Sequence, residues 1–125
     1  MDGKVIFQDN GSGISIQSLY CIGGYITYEV SSWTCGFSGI CNFCIEENKL
    51  KEYIKMIDSM IKILGGELEI RDCESDAYLK IYFEDSMNFY VSGQIGGSYE
   101  DNILRFKLKA DQTLLYGLKR NLLDY

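Results

Sequence analysis

Histidine and proline are both absent from this 125-residue chain. The lack of His removes the commonest general base and the commonest metal ligand at neutral pH. The lack of Pro leaves the turns to Gly, Asn, Asp and Ser, which this sequence supplies freely. Bases are scarce beside acids, 12 against 18, for a net charge of −6. That balance argues against a nucleic-acid partner, since phosphate contact needs a basic face; it suits a basic protein partner. No apolar run approaches the ~20 residues of a membrane helix, so no membrane partner is expected. No charged-then-apolar leader opens the chain, and the expected location is cytoplasmic. The five cysteines are an odd number without a secretion signal. They read as free thiols in a reducing compartment.

What is present is periodicity. From Glu47 to Leu64, the residues Leu50, Tyr53, Ile54, Ile57, Met60, Ile61 and Leu64 recur at helical spacing and share one face. Lys51, Glu52, Lys55, Asp58 and Lys62 take the other face. Asn48 is a candidate N-cap, and Gly65-Gly66 a candidate left-handed stop. Glu47–Lys51 and Asp58–Lys62 are candidate i,i+4 ion pairs.

Before this helix the apolar residues alternate instead. Val5–Phe7, Ile14–Cys21, Tyr25–Trp33 and Gly36–Ile45 predict four strands, separated by the turn clusters Asp9-Asn10-Gly11-Ser12-Gly13 and Gly23-Gly24. After it, Glu67–Cys73, Ala77–Glu84, Phe89–Ile95 and Ile103–Ala110 predict four more, with Asp85-Ser86-Met87-Asn88 as a hairpin turn. Asp111 is placed to cap a last helix carrying Leu114, Leu115, Leu118 and Leu122 on one stripe. The expected fold is a single α+β domain over residues 1–125. About eight strands form an antiparallel meandering sheet in one or two layers, with two helices, in the order ββββαββββα.

No motif commits the chain to a reaction. Cys41-Asn-Phe-Cys44 has the spacing of a zinc knuckle or redox pair. It lies inside an alternating strand, which sends the two thiols to opposite faces, and no second pair completes a Cys₄ set. Cys21, Cys35 and Cys73 read as ordinary small side chains. Gly11-Ser-Gly13 and Gly93-Gln-Ile-Gly96-Gly97 open no helix and so make no phosphate cradle. The expectation is a protein that is not an enzyme and holds neither metal nor cofactor.

The charge layout is more specific. Residues 67–101 carry nine acids against Arg71 and Lys80, whereas residues 105–120 carry five bases against Asp111. Tyr78, Tyr82, Tyr90 and Tyr99 are interleaved with the acids. Charge that steers and rings that anchor suit a docking surface. The competing reading is a solvated hairpin face of cross-strand Tyr and Lys pairs.

Trp33 followed by Gly36-Phe37-Ser38-Gly39, the Leu50/Tyr53/Ile57/Met60/Leu64 helix, Gly66-Glu67-Leu68-Glu69, Leu79, Val91-Ser92-Gly93, Leu104-Arg105-Phe106 and Asp111-Gln112-Thr113-x-Leu115 run in an order that resembles the WapI-type immunity proteins. These are small cytoplasmic antidotes to wall-associated contact-dependent toxins. The resemblance implies a bacterial inhibitor that binds the C-terminal domain of its cognate toxin, often a nuclease, by stoichiometric docking. It supplies no catalytic residue, and Cys41 and Cys44 are outside its pattern. The docking residues expected from charge and rings are Glu74, Asp76, Tyr78, Glu84, Asp85, Tyr90, Tyr99, Glu100 and Asp101. The alternative is a small non-enzymatic ligand-binding or assembly module.

Overall fold

The computed structural model describes residues 4–97 and 102–125. Four strands, β1 (Val5–Asp9), β2 (Ser12–Ile22), β3 (Tyr25–Thr34) and β4 (Phe37–Glu46), form one antiparallel sheet in chain order. Helix α1 (Glu47–Ile63) follows directly. Strands β5 (Glu67–Arg71), β6 (Tyr78–Asp85), β7 (Asn88–Ile95) and β8 (Leu104–Ala110) form a second antiparallel sheet, again in chain order. Helix α2 (Thr113–Leu123) closes the chain. The α+β class, the eight strands and their order are as the sequence predicts, with two four-stranded sheets.

Local chemistry explains the first meander. Its three connections, Asn10-Gly11, Gly23-Gly24 and Cys35-Gly36, are two-residue turns with positive φ at both positions. That is the turn geometry whose twist matches a tight hairpin. Cys35 is therefore a turn residue, with φ 47, and not a strand neighbour. The β6–β7 hairpin is held differently. The Asp85 carboxylate accepts from the backbone N–H of Met87 and of Asn88, both at 2.9 Å, and from the Asn88 side chain.

The helix ends differ from their sequence reading. Glu46, not Asn48, stands at the N-cap of α1 and makes no side-chain cap bond. The N–H of Glu47 instead donates to the carbonyl of Gly24 at 2.9 Å, so a neighbouring hairpin replaces the cap. At the other end Leu64 itself takes the left-handed conformation, φ 52 and ψ 48, and its N–H reaches the Met60 carbonyl at 2.9 Å. The Schellman-like stop thus falls one residue before Gly65. Asp58 pairs with Lys119 of α2 at 2.7 Å rather than with Lys62. Gln112 stands at the N-cap of α2, and the Asp111 carboxylate, one residue before it, accepts from the Thr113 N–H at 2.9 Å and from the Thr113 hydroxyl.

One apolar cluster draws on both sheets and both helices. Helix α1 contributes Leu50, Tyr53, Ile57 and Met60; the strands contribute, among others, Tyr28, Phe43, Ile81 and Val91. Each fully buried aliphatic of this size is worth roughly 1.5–3 kcal/mol of transfer free energy. Polar groups inside are matched. Tyr28 donates to the Leu122 carbonyl at 2.5 Å, and burial pushes its hydroxyl well above the usual tyrosine range. Asn121 donates to the carbonyls of Ile16 (3.0 Å) and Lys4 (3.2 Å), tying α2 to the first sheet.

Candidate functional site

Strand register decides where the charged residues go. On the outer face of the second sheet three rows cross all four strands: Glu67, Tyr82, Tyr90, Lys109; Glu69, Lys80, Ser92, Lys107; and Arg71, Tyr78, Gln94, Arg105. These rows hold two acids and five bases. The bases of β8, the edge strand paired with β7, extend these rows beyond the tyrosines of β6 and β7. Lys107 lies 4.6 Å from the ring centroid of Tyr90, Lys80 5.3 Å from that of Tyr82, and Arg71 5.9 Å from that of Tyr78. Tyr82 and Tyr90 stack at 5.7 Å. Glu69 pairs with Arg71 at 2.7 Å and Glu67 with Lys80 at 3.7 Å. The face resolves its own charges internally, through the cross-strand Tyr and Lys pairs that were the competing expectation.

The acids expected to dock a partner divide into two groups. Glu84 and Asp85 lie at the β6–β7 tip. Their β6 strand then runs eight residues to the other end of the sheet, about 25 Å away at the usual rise per residue. There Glu74 and Asp76 sit in the loop between β5 and β6. Hydrogen bonding to Asn88, then to the Met87 amide, holds the Asp85 carboxyl below its ordinary value of 3.8. Asp85 is thus a turn-former. Tyr78 and Tyr90 lie half-buried on the self-paired face between the two groups. Tyr99, Glu100 and Asp101 lie outside the described residues.

At the Glu74/Asp76 end the two sheets meet along β4, an edge strand. A groove of about 610 Å³ runs beside it, lined by residues 37–40 together with Ile95, Gly96 and residues 102–104. It is continuous through Ile40 and Gly96 with a second hollow reaching Asp72 and Ser75. Its walls expose large apolar side chains: Phe37 is 67% exposed, Ile40 60% and Ile103 50%. Gly39 lets β4 approach the second sheet this closely. A Cβ there would already meet Ile95 at 3.1 Å and Leu104 at 3.2 Å. The sequence held a sign of this groove. Ile40 falls on the otherwise polar face of its strand, with Ser38 and Asn42.

The loop carrying Glu74 and Asp76 is itself anchored to β4. The buried Asp72 carboxylate accepts from the backbone N–H of Cys44 (2.9 Å) and of Glu74 (3.2 Å), and from the Ser75 hydroxyl (2.5 Å). The N–H of Cys73 donates to the Cys44 carbonyl at 3.1 Å. Cys44 therefore has Cys73 as its neighbour, not Cys41, three positions away on the other face of the strand. Burial first, then the hydrogen bond to Cys73 and the adjoining charges, push the Cys44 thiol up to about 12. It is protonated at neutral pH and not a nucleophile.

No family model matches the sequence, and no curated protein matches it. Among solved structures the chain is similar to the plant transcriptional regulator PBF-2, with a TM-score of 0.47 and 7% identity, over 94% of this chain and 76% of that one. A likeness of that degree assigns neither family nor activity. No helix among the described residues is long and apolar enough to cross a membrane.

Proposed function

We propose that this chain is an immunity protein of the bacterial cytoplasm, which neutralises a cognate toxin domain by one-to-one docking and performs no reaction itself. The observation that carries this reading is the β4-edge groove. It combines exposed apolar walls (Phe37, Ile40, Ile103) with an adjoining hollow lined by Asp72 and Ser75 of the loop that also carries Glu74 and Asp76, an apolar centre with steering charge nearby. The WapI-type resemblance supports the same class of partner. A basic toxin surface, such as a nuclease cleft, is complementary to this end of the molecule. It is not complementary to the basic outer face of the second sheet. The expected contact set thereby narrows to Glu74 and Asp76 with the groove, leaving Glu84 and Asp85 at a distance.

The test is to mix the purified chain with the toxin domain encoded beside its gene. A 1:1 complex by light scattering, with loss of toxin activity, is the expected outcome. A toxin that stays active and unbound at micromolar concentrations of both would remove the reading.

One observation favours a second reading. Five bases among three tyrosines on the outer face of the second sheet are the ingredients of a platform for single-stranded nucleic acid. It ranks second because the rings are already covered by the bases. Saturable, salt-sensitive binding of a labelled oligonucleotide, lost on Lys107→Ala, would promote it over docking.

A further inference from the structure

We infer that Cys44, Cys73 and Glu74 form a binding site for a single thiophilic divalent cation, with zinc as the chemical type. The two sulfurs and a carboxylate oxygen lie within 4.8 Å of one another. Two thiolates and a carboxylate are a donor set zinc accepts, with water in the fourth position. Zinc–sulfur bonds of about 2.3 Å in tetrahedral geometry set sulfurs about 3.8 Å apart. The three donors therefore need to close by only about 1 Å, within reach of side-chain rotation.

The site is built rather than coincidental in sequence. Its donors come from two elements 29 positions apart, the edge strand β4 and the β5–β6 loop. They are held together by the Asp72 carboxylate and by backbone, as well as by the hydrogen bond between the two thiols. Asp72, only 8% exposed, clasps the amides of both Cys44 and Glu74, and the Cys73 amide reaches the Cys44 carbonyl. Second-sphere anchoring of this kind fixes where ligands point before the ion arrives. Access is open: Cys73 and Glu74 are exposed and Cys44 half-buried. Binding replaces two thiol protons, which leave to solvent, with one dication; no electrons move. An ion here would link β4 to the β5–β6 loop, next to Asp72 and Ser75, which line the hollow adjoining the β4-edge groove. The site does not depend on the immunity reading, and its test uses the isolated chain.

The experiment is a titration of the reduced, metal-free full-length protein with Co²⁺ and then Zn²⁺. Co²⁺ should saturate at one per chain, with thiolate-to-cobalt charge-transfer absorption in the near ultraviolet, and Zn²⁺ should displace it. Cys44→Ser and Cys73→Ser should each weaken binding at least tenfold, and Glu74→Gln by a smaller factor. A Cys21→Ser/Cys35→Ser double variant should bind as the parent does. In the unmodified chain, which needs no assumption about variant folding, Zn²⁺ should shield the exposed Cys73 from alkylation and leave the exposed Cys21 and Cys35 reactive. The inference fails if Co²⁺ does not saturate, or if binding survives removal of both Cys44 and Cys73. It also fails if Cys73 alkylates equally with and without Zn²⁺, or if air forms a Cys44–Cys73 disulfide while the reduced chain takes up no Co²⁺.

Discussion

The outer face of the second sheet and the groove along β4 are two surfaces of one small protein, and they treat their side chains in opposite ways. On the sheet face most charges have a partner on their own or a neighbouring strand, and each tyrosine lies beside a base. Along β4, Phe37 and Ile40 stand in solvent. The sheet face has little to gain from a partner, because docking would have to break contacts it already makes. Exposed apolar groups on an edge strand gain from being covered. Charge counted along a sequence is therefore not charge on a surface. Residues 67–101 are strongly acidic, yet the sheet they build presents more bases than acids once β8 is in register.

The largest effect expected from this contrast is on binding. Ile40→Asp, which places a charge in the groove wall, should weaken toxin binding about 100-fold, as expected for an interface centre. Lys80→Ala on the sheet face should change it less than about threefold. Equal losses from both would erase the distinction. Reversing Glu74 and Asp76 to Lys should slow association roughly tenfold and flatten its salt dependence, read by stopped flow. The same reversal at Glu84 and Asp85 should do neither.

Within the second sheet, the core is expected to respond far more than the outer face. Gly93 lies against Phe106, and a Cβ there would sit 2.4 Å from the Tyr78 carbonyl oxygen, a backbone atom that cannot swing aside. Gly93→Ala should cost about 2–3 kcal/mol in urea unfolding; a loss under 0.5 kcal/mol would show the strands slack enough to part. On the other side of the same strands, a double-mutant cycle on Tyr82 and Tyr90 should return about 0.5–1 kcal/mol of coupling. The smallest effect is at the hairpin tip. Because Asp85 is held below 3.8, its stabilisation of the turn is complete above that pH and fades as pH falls through the lowered value. An NMR titration should find Asp85 below a free carboxylate, and Asn88→Ala should raise it. An unshifted Asp85 in the parent would contradict the turn geometry.

Most of the fold was legible in the sequence because its strands alternate cleanly and its turns use Gly and Asn. The helix faces of α1 and α2 were legible for the same reason, down to Ile57 and Leu118. What failed was nonlocal. The cap of α1 comes from a hairpin carbonyl 23 residues earlier, and the Asp58 partner comes from the other helix. Leu64 takes the left-handed stop because the terminating hydrogen bond to Met60 falls there, one step before the glycines that local preference would choose. Cys41 and Cys44 are on opposite faces of their strand, as expected, but no spacing pointed to Cys73 as the neighbour of Cys44. Cys44 meets Cys73 only once the β5–β6 loop has folded onto β4. The expected docking set was scattered for the same reason: Glu74 and Glu84 are close in sequence but at opposite ends of a sheet.

The most direct measurement is backbone hydrogen exchange on the chain with and without its cognate toxin domain. New protection is expected at residues 37–42 and at Gly96 and Gly97, with the β6–β7 tip and the outer face of the second sheet exchanging as in the free protein. Protection confined to that outer face, with the β4 edge unchanged, would contradict docking at the groove.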